Sequence, residues 1–207
     1  MNAAQLQETR TIPPAPEESA RADLYALLAS LFHAAPDREL LEAIMRTPLP
    51  DAGAEGDLKQ AWRALQDACA AADLEAVRQE FDTLFVGVGN PPVKPYASFY
   101  LAGYMNEKPL AELRDELARL GFGRRPAVGE TEDHLSALAE VMRMMIFGAE
   151  GPADLGTQRR FFERFIKPWY ARLAEDLARV EGAGFYAVVG RFAKAFLDVE
   201  SASFEMG

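Results

Sequence analysis

The chain of 207 residues is short of the groups that build most catalytic and cofactor centres. It holds one cysteine, Cys69, which excludes an intramolecular disulfide and a thiolate zinc site. Cys69 stands among alanines in an apolar-periodic segment and is expected to serve as a small buried hydrophobe. Two histidines, His33 and His134, are too few for the four-helix di-iron pattern, and neither follows a Glu at the Glu-x-x-His offset. Positive charge is also scarce: 22 Lys and Arg stand against 32 Asp and Glu, a net charge of -10 that argues against the basic footprint of a nucleic-acid binder. No run approaches the roughly 18 apolar residues of a membrane span. Nothing near Met1 has the basic and then apolar order of an export leader, so the expectation is a cytoplasmic chain.

Phosphate cradles are missing as well. The segment GVGNPP, from Gly87 to Pro92, lacks the third glycine of a dinucleotide fingerprint, has two prolines instead, and follows no strand pattern; no GxxxxGK[ST] occurs anywhere. No catalytic residue, metal ligand or cofactor is assigned from these residues.

What is present is helical periodicity. Leu24, Leu27, Leu28, Leu31 and Phe32 recur at spacings of three and four, as do Leu58, Trp62, Leu65 and Cys69, then Leu74, Val77, Phe81, Leu84 and Phe85. Leu110, Leu113, Leu117 and Leu120 continue the pattern behind Pro109, a favoured first-turn residue. Leu135, Leu138, Val141, Met142 and Met145 give another stripe. Phe161, Phe162, Phe165, Trp169, Leu173 and Leu177 lie on a helix that Pro168 is expected to kink, and Phe185 to Phe196 closes the series. The expected fold is all-α: a single helical bundle of about eight to ten helices over 17–207, behind a mobile tail of residues 1–16 carrying Pro13, Pro14 and Pro16. Two breaks interrupt it, GVGNPPVKP and GFGRRPAVGE, and the second forms a hinge before a helix starting near Glu132.

Chemistry concentrates in GETEDHL, Gly129 to Leu135, which packs four ionisable side chains into five positions. Thr131 is expected to be the N-cap, with Glu132 and Asp133 in the first turn, where carboxylates complement the helix dipole. That leaves His134 without a task. Ser98 or Ser136 are the candidate nucleophiles beside it, although two residues of separation should turn Ser136 to another side of the helix. Glu130, Asp133 and His134 together suggest an acidic hinge able to accept arginine guanidinium groups. Phe81 and Leu84 are expected in the core, and Tyr100 and Tyr104 fit the core equally.

The run FDTLFVGVGNPPVKPYASFY, followed some thirty residues later by GETEDHL, resembles the TorD/DmsD family of chaperones for molybdenum enzymes. LRDELARLGF, FIKPWYARLAEDL and FYAVVGRFAKAFLDVE agree with it, so the resemblance covers about Arg21 to Glu200. In that family a Gly- and Pro-rich loop ends in P-Y/W-x-S-x-Y and a later E-P-x-D-H lies at a hinge. Phe85, Pro95, Tyr96, Ser98 and Tyr100 match the first motif; Glu130, Asp133 and His134 match the second. The resemblance implies that these eight residues line a peptide groove. It implies a cytosolic chaperone that binds the twin-arginine signal peptide and apo form of a molybdenum oxidoreductase, with the late segment leaning toward formate dehydrogenase. Thr131 replaces the family's proline, which predicts a less rigid hinge.

Two other classes stay open at this stage: a helical adaptor that binds the mature client rather than its leader, and a nucleotide-binding hydrolase, since the resemblance also implies weak guanine nucleotide binding. Long loops near Gly87 and Gly121 are compatible with a monomer or with a dimer formed by helix exchange.

Overall fold

The computed structural model describes residues 15–48, 56–87, 90–105, 108–123, 130–148 and 152–206. Ten α-helices follow one another among them: α1 Pro16–His33, α2 Arg38–Arg46, α3 Asp57–Ala70, α4 Leu74–Phe81, α5 Ala97–Ala102, α6 Lys108–Arg119, α7 Leu135–Ile146, α8 Leu155–Phe165, α9 Tyr170–Arg179 and α10 Phe185–Met206. Strands are absent among the described residues, so the fold is all-α as expected. The expected mobile tail falls mostly on residues 1–14, outside the described residues, and Pro16 already opens α1 as a first-turn proline.

Short polar side chains start several of these helices. Asp37, Asp73 and Asp154 each accept a backbone N–H three residues on, from Leu40, Ala76 and Thr157, which satisfies one of the orphan donors of a helix start. The apolar stripes then decide the packing. α1 buries Ala22, Tyr25, Leu28, Leu31 and Phe32 and lies along α7, which buries Leu135, Leu138, Ala139, Met142, Met145 and Ile146. α10 packs on α3 and α9. Gly190 lets α10 approach α9 closely: a Cβ there would stand 3.0 Å from Leu177 Cδ1.

Three sequence expectations change in the folded chain. The stripe from Leu74 to Phe85 is not one α-helix, because α4 widens at its end into a π-helical turn, Asp82–Val86. Phe81 and Leu84 remain buried in the core. Pro168 divides its helix rather than kinking it: α8 stops at Phe165 and α9 starts at Tyr170, with the N–H groups of Ile166 and Lys167 both turned onto the Phe162 carbonyl. A proline has no N–H and disfavours helical backbone in the residue before it, so helical pairing cannot pass through. Of the two tyrosines that fit the core, Tyr100 is buried while Tyr104 is 73% exposed.

Buried polar groups are paired. Arg21 donates from Nε and Nη2 to both carboxylate oxygens of Glu200 at 2.8 Å, and the Tyr25 hydroxyl donates to the same carboxylate at 2.9 Å. This knot ties α1 to α10. At the other end of α10, Glu80 of α4 accepts the N–H groups of Phe185 and Tyr186 at 3.0 and 2.7 Å, a helix cap supplied from 105 residues away.

Candidate functional site

Two segments far apart in sequence meet where the first two breaks were expected. Pro91 to Pro95 runs without regular structure, and the buried Val93 donates its N–H to the Leu84 carbonyl at 3.1 Å, pinning the loop to the π turn. Pro95 lacks a donor, yet its carbonyl accepts the Leu135 N–H at 2.8 Å. Ala97 N–H donates to the Asp133 carbonyl at 2.9 Å. These two bonds make an isolated antiparallel bridge between Tyr96 and His134.

Side chains reinforce the bridge. Asp133 is fully buried, and its Oδ2 accepts from both the backbone N–H of Ser98, at 2.9 Å, and the Ser98 hydroxyl. Its Oδ1 accepts from the Thr131 hydroxyl. Both carboxylate oxygens are thus occupied, as a buried charge requires. A proline at position 131 could not supply this donor.

His134 is the N-cap of α7, with extended backbone (φ -65°, ψ 142°). This corrects the expectation of a helix beginning near Glu132 with Thr131 as cap: Thr131 to His134 form a turn closed by the His134 N–H on the Thr131 carbonyl, Asp133 and Leu135 bond to Ala97 and Pro95, and the helix starts at Leu135. His134 Nδ1 accepts the Ser136 N–H at 3.1 Å and lies 2.6 Å from the Ser136 hydroxyl. A backbone donor on Nδ1 places the proton of the neutral ring on Nε2. Ser136 was expected to point elsewhere; it reaches the imidazole because His134 stands outside the helix. Burial pushes the His134 pKa down to about 4, against a partial opposing pull from Glu130 and Asp133. The ring is neutral at pH 7 and packs edge-on against Tyr96, centroids 4.8 Å apart.

The other candidate residues divide by exposure. Pro95, Ser98 and Tyr100 are buried. Tyr100 stacks on Trp169, donates to Asp176 at 2.8 Å and has its carbonyl held by Arg172, which fastens α5 to α9. Phe85, half-buried, joins a cluster with Phe32, Phe81 and Tyr186. Tyr96 and Glu130 keep part of their surface in solvent. Burial raises the Tyr96 hydroxyl pKa, and the fields of Glu130 and Asp133 raise it further, the mark of an acidic neighbourhood.

Sequence reasoning missed several partners. His33, at the end of α1, places Nδ1 3.2 Å from Glu130 Oε2. Arg114 of α6 pairs with Glu132 at 2.9 Å. Lys94 lies over the Phe99 ring at 4.9 Å while donating to the Pro91 carbonyl. None of these pairings lies within a single helix, so periodicity could not signal them. A cleft of about 460 Å³ opens elsewhere, between α6 and α8, among Glu116, Arg119, Arg160, Glu163, Arg164 and Phe165. Its charges are mixed and it lines none of the motif residues. Among the described residues no cluster of three His, Cys, Asp or Glu side chains is placed to hold a metal ion, and no helix is long and apolar enough to cross a membrane.

Comparison with known proteins bears on the family and the fold. Residues 51–175 match the family described as nitrate reductase delta subunit. The chain is 28% identical to the chaperone protein TorD of Vibrio parahaemolyticus over 88% of its own length and 93% of the relative's. It is 27% identical to the TorD of Aliivibrio fischeri, over 87% and 92% of the two chains. Its fold is similar to a crystal structure from Archaeoglobus fulgidus described provisionally as a redox enzyme maturation protein, with TM-score 0.52 and 17% identity over 94% and 99% of the two chains.

Proposed function

Because the chain belongs to the nitrate reductase delta subunit family, that of the TorD chaperones, we propose that it is a maturation chaperone for a molybdenum oxidoreductase and binds the twin-arginine leader of that client. The observation that carries this reading is the bridge between Tyr96 and His134, which gathers the two motifs into one place. A leader peptide presents a basic pair followed by an apolar stretch. Glu130 stands at the rim of the bridge beside His33, with a side-chain exposure of 31%, and presents its carboxylate to these guanidinium groups. Leu101, Tyr104 and Met105, exposed by 41%, 73% and 38%, offer an apolar surface at the far end of α5.

In this reading Ser98, Asp133 and His134 are positioning residues. They are buried and bonded to one another's segments, and they hold the Tyr96 and Glu130 surfaces in register instead of touching the peptide. The protein acts by binding, without turnover, and its client class extends to formate dehydrogenase.

Calorimetric titration with molybdoenzyme leader peptides, formate dehydrogenase leaders among them, each against a Lys-Lys control, tests the proposal. Saturable binding near the micromolar range, about -8 kcal/mol, weakened by Lys-Lys and by salt, is the expected result. Equal binding of the client with and without its leader overturns it in favour of an adaptor for the mature enzyme.

A further inference from the structure

Lys94 is a cation whose partners are not acids. It lies half-buried in the loop that enters α5, where its ammonium donates to the Pro91 carbonyl at 2.9 Å and stands 4.9 Å from the centre of the Phe99 ring. Among the described residues no carboxylate pairs with it, in a chain whose net charge is -10. A lysine stem is flexible and its head strongly hydrated, so an ordinary surface lysine keeps its head in water. This one is folded back onto an aromatic face and a carbonyl. Both partners suit a guanidinium better, because it is planar and weakly hydrated, stacks on a ring, and still has N–H groups in its plane for a carbonyl beside that ring. The place adjoins the bridge on two sides. Lys94 directly precedes Pro95, whose carbonyl holds Leu135, and Phe99 lies three residues after Tyr96, the N-cap of α5.

We propose that the Phe99 ring and the Pro91 carbonyl form a cation seat beside the bridge, kept by Lys94 in the free chain and taken by an arginine guanidinium of the leader when it binds. The proposal rests on the leader-binding reading and deepens it by assigning residues that tell arginine from lysine. A lysine in the peptide would only replace one ammonium by another, with no net gain at the ring. An arginine replaces an ammonium by a group that stacks, while the displaced Lys94 head regains its water. The exchange favours Arg-Arg over Lys-Lys by about two- to fivefold, the scale of a cation and ring contact at a half-exposed site. Lys94 thus keeps the seat formed until the leader arrives and sets a threshold that a weaker cation does not pass.

The test uses the full chain, labelled with carbon-13 at the ε-methylene of its five lysines, and a leader peptide with its Lys-Lys counterpart. Protons held over a ring face are shifted upfield by the ring current, and Lys94→Gln identifies which signal belongs to Lys94. Saturating Arg-Arg leader is expected to return that signal toward the positions of the other four. Calorimetry adds two variants. Lys94→Arg keeps the charge but fills the seat with a stronger occupant, and is expected to bind the Arg-Arg leader about two- to fivefold more weakly than the wild type. Phe99→Leu is expected to lose the same factor from the preference for Arg-Arg over Lys-Lys. A Lys94 signal that stays upfield at saturation, a Lys94→Arg protein that binds as the wild type does, or a full Arg-Arg preference in Phe99→Leu overturns the seat and leaves leader binding standing. Absence of saturable wild-type binding overturns the leader reading, and this inference with it.

Discussion

The carboxylate of Asp133 holds Ser98 twice, through its backbone N–H at 2.9 Å and through its hydroxyl, across 35 residues of chain. One side chain thereby fixes the start of α5 against the approach to α7. Without it the Ser98 donors lose a charged acceptor in a place water does not reach.

Asp133→Ala is therefore expected to lower stability by about 2–3 kcal/mol, the cost of stranding buried donors, and Asp133→Asn by less because one acceptor oxygen survives. Urea unfolding followed by circular dichroism measures this. Leader affinity should fall in parallel with the loss of the Glu130 geometry. A variant that loses binding at an unchanged unfolding midpoint would instead show that Asp133 touches the ligand.

The His134 imidazole sets an acid limit on stability. Its folded pKa, about 4, lies below the 6.5 usual for histidine, so the unfolded chain binds more protons between those values. Stability is fully present above the unfolded value and is lost as the pH falls toward the folded one. The shift is worth about 3 kcal/mol. Comparison of His134→Gln with the wild type across this range should show a flatter decline for the variant. Parallel curves would mean that the ring is not held neutral by burial.

Glu200 is 2% exposed and satisfies Arg21 and Tyr25 together. Glu200→Ala is expected to cost about 2–3 kcal/mol, since the buried Tyr25 hydroxyl loses its acceptor and the partly buried Arg21 guanidinium loses one of its two carboxylates, keeping Glu18. Replacing all three by Met, Phe and Leu at positions 21, 25 and 200 should cost distinctly less, because no charge is then stranded. Denaturant midpoints of the two variants separate these outcomes.

Glu80 caps α10 from α4. Glu80→Ala is expected to lower stability by about 1–2 kcal/mol and Glu80→Gln by less, on the scale of helix N-caps. Amide hydrogen exchange provides a local readout: Phe185 and Tyr186 should lose protection in Glu80→Ala while the centre of α10 keeps it. Equal loss along all of α10 would point to global destabilisation.

Much of the bundle could be read in advance because helical periodicity is local. The stripe from Leu24 to Phe32 and that from Leu135 to Met145 each declare a buried face within a few turns, and α1 and α7 pack by those faces. Motif residues such as Asp133 and His134 were likewise visible as a dense polar run before an apolar helix. What they do was not visible. Thr131 with two following acids has the local form of a helix start, and local preference alone puts the cap there; two backbone bonds from Pro95 and Ala97 override it and move the start to Leu135. The same bridge turns Asp133 inward to Ser98 and brings Ser136 within reach of His134. The His33 and Glu130 pair depends on how the end of α1 meets the entry to α7, a separation of 97 residues. Residue type and spacing decide which segments coil and which side chains carry charge, since those preferences act over one or two turns. Burial, partner and protonation state belong to contacts between distant segments, and they exist only once the helices have packed.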